Sequence, residues 1–167
     1  LLDGLFDRAR NVDAIRRYGL TVRRQGNTGR VGLRATTDPA EVGPCDVVMV
    51  FVKYNQTAAA IDAARPMIAP TSLIVTLQNG IGNVEQLQAA LGKERVLGGS
   101  SMCSAASIGP GHVRLTHLGQ TTIGETDGAT RPRTAELAQA LQDAGLETTV
   151  APDIMAVIWE KFALNCS

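Results

Sequence analysis

The chain has 167 residues, of which 44% are hydrophobic, and its sixteen basic residues balance sixteen acidic ones. This length and apolar content suit one domain with a core of its own, followed by the start of a second. The net charge of zero gives no electrostatic argument for binding nucleic acid or an anionic membrane, and 4% aromatic residues are too few for base-stacking surfaces.

The first thirty residues have the least regular pattern. Residues 1–6 resemble a turn of helix that runs into Asp7 without an intervening strand. This predicts that residues are missing before the first one and that a strand is lost before Asp7. Residues 11–18 predict a helix that ends at a glycine. Residues 26–32 are rich in glycine, but they follow no predicted strand and open no predicted helix, so they are not interpreted as a phosphate-binding loop.

Apolar strands alternate with helices between residues 46 and 98. The first strand is a nearly continuous apolar run, which is typical of a strand buried on both faces of a parallel sheet. The alternation is the βαβ rhythm of a Rossmann-like, doubly wound α/β fold. In chain order the segments are strand 46–53, helix 54–67, strand 72–77, a glycine turn 78–82, helix 83–91 capped by Asn83 and ended by Gly92, and strand 95–98.

The pattern changes after residue 98, and a domain boundary is predicted near Ala151–Pro152. Two strands in this part are predicted to pair antiparallel across the turn Leu118–Gly119. Asp153 is predicted to cap a terminal helix that continues to the last residue. In chain order the segments are strand 112–117, strand 120–124, helix 134–144 ended by Gly145, strand 147–150 and the terminal helix.

Polar side chains stand at the ends of the three apolar strands. In open α/β sheets, ligands bind outside the carboxyl ends of the strands, so these side chains are predicted to share one rim. Each could instead be an ordinary turn residue, but their recurrence at three consecutive strand ends favours a binding site. They are Lys53 at the end of the first strand with Gln56 just beyond it, Gln78 with Asn79 at the end of the second, and Ser100 with Ser101 at the end of the third.

The terminal helix carries Lys161 and Asn165 four residues apart, and therefore on one face. Its other residues are largely apolar. A partly desolvated ammonium can stabilise negative charge on a reacting oxygen and release a proton to it. The alternative from periodicity alone is a lysine that reaches from an apolar surface into water.

Four motifs in a fixed order make the sequence resemble a known family. With this order and spacing, the chain resembles the ketopantoate reductase (2-dehydropantoate 2-reductase) family over residues 7–167. The motifs are Val52-Lys53-x-x-Gln56, Leu77-Gln-Asn79-Gly-Ile-Gly82-Asn83, Gly109-Pro-Gly-His-Val113 and Trp159-Glu-Lys161-x-x-x-Asn165.

The resemblance implies an NADPH-dependent oxidoreductase that reduces ketopantoate, a 2-oxo acid, to pantoate on the path to coenzyme A. No metal is implied. The implied roles are Lys161 as the catalytic general acid, Asn165 as a substrate-binding residue, Asn79 at the junction of nicotinamide and substrate, Lys53 and Gln56 on the cofactor side, and Arg8 against the 2′-phosphate of NADPH, with Arg10 a less well aligned second candidate.

The family's GxGxxG loop, which would hold the pyrophosphate at a helix N-terminus, does not occur in the sequence. The resemblance therefore implies that residues 1–151 form an NADP-binding Rossmann-like domain without this loop. Residues 152–167 would be the first helix of an all-helical substrate domain. The implied partner is a small 2-oxo acid, with no nucleic acid or membrane partner. The sequence leaves the oligomeric state open, with a homodimer as one option.

The remaining candidates have structural interpretations. His112 and His117 lie on a predicted strand with no nucleophile beside them. Cys103 is predicted to be a small, buried or half-buried thiol, and Cys166 to belong to the core. Trp159 is predicted to anchor the packing between two domains.

The three widely spaced cysteines make no metal or disulfide pattern, which fits a reducing cytoplasm. Two alternatives to ketopantoate reduction remain open. One is a related reductase of another 2-oxo acid or an imine. The other is a dinucleotide-binding module without catalysis, although such a module has no need for the lysine and asparagine pair.

Overall fold

The computed structural model describes residues 5–166, and the side chains of residues 7–166. Within these residues the chain forms five α-helices and eleven strands. The helices are α1 Ala9–Tyr18, α2 Thr57–Ala64, α3 Asn83–Leu91, α4 Pro132–Asp143 and α5 Ile154–Cys166. The strands are β1 Leu5–Phe6, β2 Leu20–Arg24, β3 Asn27–Val31, β4 Ala35–Thr36, β5 Cys45–Val50, β6 Ile68–Thr76, β7 Val96–Ser101, β8 Ser104–Gly109, β9 His112–His117, β10 Thr121–Glu125 and β11 Thr148–Val150.

A five-stranded sheet with the order β11-β10-β7-β6-β5 forms the centre of the fold. Strands β5, β6 and β7 are parallel, as the βαβ rhythm predicts, and β10 runs antiparallel to β7. The carboxyl ends of β5, β6 and β7 therefore lie along one edge, as a ligand-binding α/β sheet requires.

Helices cover both faces of this sheet, which confirms the predicted doubly wound α/β fold. One face packs Ile74 and Val96 against Ile61 of α2 and Leu87 of α3. The opposite face packs a second cluster against α4, because successive residues of a strand point to opposite faces. The buried members of this second cluster are Val75, Leu97, Ile123, Leu137, Ala138 and Leu141.

Two glycines let α5 lie close to the sheet. A Cβ atom added to Gly124 of β10 would lie 2.7 Å from the carbonyl oxygen of Ala151 and 2.8 Å from Cβ of Ile154. A Cβ atom on Gly98 of β7 would lie 3.2 Å from the side chain of Ile158. Ile154 itself is completely buried in this contact. The close approach fixes the position of α5, and with it the position of Lys161.

Glu125 fixes the start of α4. Its carboxylate is 4% exposed. It accepts a hydrogen bond from the Thr134 hydroxyl at 2.7 Å and forms ion pairs with Arg133 at 2.6 Å and Arg131 at 2.9 Å. Burial acts to raise the pKa of Glu125, but the hydrogen bonds and positive charges around it outweigh burial and hold the pKa below its usual value.

The prediction that a helix turn runs into Asp7 without an intervening strand is wrong for Leu5–Phe6. Leu5–Phe6 is not part of a helix but a strand, β1, which pairs in parallel with β4. A strand therefore stands directly before Asp7, and the chain enters α1 after Asp7 and Arg8. The strand escapes notice because two residues are too few to show a period. Residues 1–4 lie outside the described part of the chain.

The prediction that strands 112–117 and 120–124 pair with each other is also wrong. β9 pairs with β8 and β2 in a separate four-stranded sheet of order β3-β2-β9-β8. β10 instead joins the central sheet beside β7. The glycine-rich segment 26–32 opens no helix, as predicted, but it does follow a strand, β2, and itself contains β3, which pairs antiparallel with β2.

Other predicted boundaries need smaller corrections. The helix over 54–67 is α2 flanked by one 3-10 turn on each side. β5 lies at the edge of the central sheet and is mostly half-buried, so it is not buried on both faces. Gly82 precedes α3 as its cap, whereas the side chain of Asn83 donates to the carbonyl of Asn79. Asp153 caps α5 as predicted, by accepting from the amide of Ala156 at 3.0 Å.

Candidate active site

The ends of β5 and β6 are joined by the side chain of Gln78. Its amide donates to the carbonyl oxygen of Val52 at 2.5 Å and to the hydroxyl of Thr57 at 3.0 Å. Its oxygen accepts from the hydroxyl of Thr76 at 3.0 Å. Gln78, which the sequence predicts on the rim, therefore has its side chain fixed by hydrogen bonds to neighbouring residues and connects the two strand ends.

The two predicted cofactor-side residues follow β5 at this joined edge. Lys53 precedes a 3-10 turn and is exposed, and the carbonyl of Lys53 accepts from the amide of Gln56 at 2.8 Å. Gln56 is half-buried and directly precedes α2. One turn after the carboxyl end of β5 thus carries both an exposed lysine and a half-buried glutamine.

Asn79 lies just beyond the end of β6 and begins a turn built on two glycines. Gly80 and Gly82 have φ angles of 91° and 84°, in the region that glycine adopts at no steric cost. Asn79 is exposed at the rim, and its backbone carbonyl accepts from the side-chain amide of Asn83 at 3.2 Å. The side-chain oxygen of Asn83 is buried and has no hydrogen-bond partner among the described residues.

Lys161 reaches the same rim from α5. Its ammonium group donates a hydrogen bond of 2.6 Å to the backbone carbonyl of Ser101, the last residue of β7. Burial lowers the pKa of Lys161, and the neighbouring thiol of Cys103 opposes this in part. In the part of the chain that is described, Cys103 is the titratable group found to act on this charge. The lysine is therefore not a surface lysine with its charge free in water.

Asn165 lies one turn after Lys161 on α5 and is exposed, so both side chains share one side of the helix. Trp159 is 52% exposed and meets Phe162 edge to face, with ring centroids 6.0 Å apart. Cys166 is exposed, so the prediction that it belongs to the core is wrong, whereas Cys103 is half-buried as predicted.

Arg8 follows β1, which belongs to a separate two-stranded sheet. It precedes α1, and within residues 5–166 its guanidinium makes no hydrogen bond or ion pair. The side chain of Asp7 accepts from the Arg8 amide at 2.7 Å and from the Asn11 amide group at 2.8 Å. Arg8 thus offers an exposed cation beside the amino terminus of a helix, an arrangement that suits an anion.

Residues 5–166 contain neither a membrane-spanning helix nor a metal-binding cluster. No helix in this range has the length and hydrophobicity of a membrane span. The same range contains no group of three or more His, Cys, Asp or Glu residues placed to hold a metal ion. Of the two histidines, His112 uses Nδ1 to donate to the carbonyl of Pro110 at 2.8 Å, and His117 is exposed.

Comparisons with known proteins identify what this chain resembles. The family model of ketopantoate reductase PanE/ApbA matches residues 4–128. The chain is 36% identical to the 2-dehydropantoate 2-reductase of Halobacterium salinarum over 156 residues, which are 93% of this chain and 51% of that protein. The crystal structure of 2-dehydropantoate 2-reductase from Geobacter metallireducens matches with a TM-score of 0.90 and 29% identity, over 97% of this chain and 54% of that one.

A third comparison supports the fold alone. The ternary structure of D-mandelate dehydrogenase with NADH and anilino(oxo)acetate matches with a TM-score of 0.87 at 24% identity, over 95% of this chain and 52% of that one. In each of these comparisons the chain spans about half the length of the relative. The family model, by contrast, covers most of the present chain. The chain belongs to the ketopantoate reductase PanE/ApbA family.

Proposed function

We propose that the full-length protein is an NADPH-dependent reductase that converts ketopantoate to pantoate in the synthesis of pantothenate and coenzyme A. The observation that carries this proposal is the half-buried ammonium of Lys161, held against Ser101 at the carboxyl edge of the sheet. A cation in that position can serve a reaction that builds negative charge on oxygen. The family match and the 2-dehydropantoate 2-reductases among the relatives support the choice of reaction.

The domain arrangement belongs to the same proposal. Residues 1–151 would form the NADP-binding domain, and residues 152–167 the first helix of a helical substrate domain. The exposure of apolar side chains on α5 supports this, because Trp159 is 52% and Leu164 is 74% exposed. Large apolar side chains exposed together on one helix are typical of a surface that packs against further protein.

The exposed polar groups fit a phosphorylated dinucleotide. Arg8 would bind the 2′-phosphate of NADPH, since a guanidinium offers paired donors to phosphate oxygens and α1 begins beside it. Lys53 and Gln56 would hold the cofactor at the end of β5. Asn79 would stand where the nicotinamide meets the substrate, and Asn165 would bind the substrate.

The chemistry assigned to the chain is proton donation. The bound cofactor would supply a hydride to the carbonyl carbon of the 2-oxo acid. Lys161 would donate its proton to the carbonyl oxygen as the negative charge develops there, and would then regain a proton from solvent. Its partial burial supports this role, because burial weakens the hold of the amine on its proton.

Two other functions remain candidates. The family match alone does not select ketopantoate over another 2-oxo acid or an imine, and D-mandelate dehydrogenase shares the fold. A dinucleotide-binding module without catalysis is the second candidate, but the half-buried lysine argues against it, since binding alone requires no proton donor in this position.

The direct test adds ketopantoate and NADPH to the full-length protein and monitors the oxidation of NADPH by its absorbance. Related 2-oxo acids and a cyclic imine serve as competing substrates. Turnover with ketopantoate at the highest kcat/KM is the expected result. NADPH binding without turnover of any of these substrates would reject catalysis and favour the binding module. A higher kcat/KM with another 2-oxo acid would reassign the substrate.

A further inference from the structure

Ser101 has a second set of contacts besides the bond from Lys161. Its side-chain oxygen accepts from the hydroxyl of Thr121 at 3.1 Å and from the amide of Cys103 at 3.3 Å. Thr121 is 1% exposed and lies directly opposite Ser101 in the β7–β10 pair. The residue that receives the ammonium is thus itself fixed by a buried hydroxyl.

The turn that follows Ser101 is fastened to the start of β10 by further bonds. The amide of Met102 donates to the carbonyl of Gln120 at 2.9 Å, and the thiol of Cys103 donates to the carbonyl of Gly119 at 3.2 Å. The two segments approach so closely that a Cβ atom on Gly119 would lie 2.9 Å from the carbonyl oxygen of Met102. The backbone around the carbonyl acceptor is therefore held on both sides.

We propose that Thr121 and Ser101 are positioning residues for Lys161, with the Thr121 hydroxyl fixing Ser101 so that the Ser101 carbonyl aims the ammonium at the substrate oxygen. The role of Lys161 as proton donor rests on the proposed function. An ammonium has three donors, so the bond to Ser101 leaves two for a substrate. A carbonyl that holds one donor limits where the other two point, and small errors in such placement reduce rates strongly.

The test compares Thr121→Val with wild type in the full-length protein, because valine keeps the shape of threonine and removes the donor. We expect kcat to fall about tenfold, while the KM for the 2-oxo acid and the Kd for NADPH stay within about twofold. Thr122→Val is the matched control. It lies one residue along β10, and its hydroxyl is 3.3 Å from that of Thr149, in a contact away from Lys161.

A second readout does not depend on turnover. The rate at which acetic anhydride modifies Lys161, followed by mass spectrometry across a pH series, gives the pKa of its amine. A hydrogen bond to the charged form favours that form, so Thr121→Val should lower the pKa and Thr122→Val should leave it unchanged. If the wild-type protein reduces no 2-oxo acid, the proposed function fails, and this measurement still decides whether Thr121 acts on Lys161.

Ser101→Ala removes the side-chain oxygen that accepts the hydrogen bond from the Thr121 hydroxyl. This variant replaces Thr121→Val in the test if Thr121→Val does not fold. Matching shifts in the Lys161 pKa for Thr121→Val and Ser101→Ala would support the proposal. An unchanged pKa in both variants would overturn it. An equal fall in kcat for Thr121→Val and Thr122→Val would also overturn it, since the effect would then come from general weakening of β10.

Discussion

The ammonium of Lys161 and the carbonyl of Ser101 are joined by a 2.6 Å hydrogen bond across sixty residues of sequence. The bond links the terminal helix α5 to the carboxyl end of β7. It forms because Gly98 and Gly124 allow α5 to lie against the sheet. The candidate active site therefore depends on a helix–sheet contact as much as on the residues of its rim.

The fall of kcat at alkaline pH should reflect the deprotonation of Lys161. The protonated amine is the proposed acid, so kcat should fall as pH rises through its pKa. Burial lowers this pKa, and the fall should therefore be centred below about 10.4, the value of an exposed lysine. Steady-state kcat measured from neutral to alkaline pH checks this. A limb centred at or above the ordinary value would contradict the assignment.

Gly124→Ala should displace α5. The added methyl group would lie 2.7 Å from the carbonyl oxygen of Ala151, so the helix must shift, at a cost of about 1–3 kcal/mol. Urea unfolding measures the loss. Gly29→Ala is the control, because a Cβ atom there meets nothing within 4 Å. Equal midpoints for the two variants would show that the close approach is not required.

Glu125→Gln should weaken the start of α4. Removing one charge from a buried group paired with Arg131 and Arg133 costs about 3 kcal/mol. Glu136→Gln on the exposed side of α4 is the matched control and should have little effect. Thermal unfolding at neutral pH checks the difference. Comparable Tm values for the two variants would argue that the ion pairs contribute nothing net.

The Glu125 carboxylate should also make the stability of the wild-type protein fall at acidic pH. The pKa of Glu125 is lowered in the folded protein, so its contribution is present above the unfolded value of about 4.3 and is lost as pH falls through the folded value. Wild type should therefore lose stability below about pH 4.3 more steeply than Glu125→Gln. Parallel stability curves for the two proteins would contradict this origin of the pKa shift.

Arg8→Ala should weaken NADPH binding selectively. Loss of one charge-assisted contact to the 2′-phosphate should raise the Kd for NADPH about tenfold. The Kd for NADH, which lacks that phosphate, should stay the same. Fluorescence titration with both cofactors makes the comparison. Arg10→Ala tests the second candidate in the same assay, and a larger effect there would move the phosphate contact to Arg10.

The central part of the fold follows from the sequence because its signals are local. These signals act within a few residues: they are the apolar runs of β5 and β6, the glycine after α3 and the cap of α5. The structure confirms each as the predicted strand, helix end or helix cap. The position of Lys161 one turn before Asn165 also follows from helix periodicity. Its partial burial does not, since that depends on a sheet assembled from distant strands.

The errors arise where pairing is not local. β9 and β10 are adjacent in sequence, yet β9 pairs with β2, which is distant in sequence, and β10 pairs with β7. The short turn between β9 and β10 carries no pattern that distinguishes these pairings from a hairpin. The acceptor of Lys161 could not be predicted either. A backbone carbonyl has no residue type to mark it, and only the register of Ser101 opposite Thr121 reveals how it is held.

The central claim is that Lys161 is the proton donor, and the most direct measurement is the kcat of full-length Lys161→Ala with ketopantoate and NADPH. Removal of a general acid should lower kcat by about 10²–10⁴ and leave the Kd for NADPH nearly unchanged. Lys93→Ala, which removes an exposed lysine after α3, should retain wild-type turnover. Equal losses of turnover and of NADPH binding in Lys161→Ala would contradict the claim.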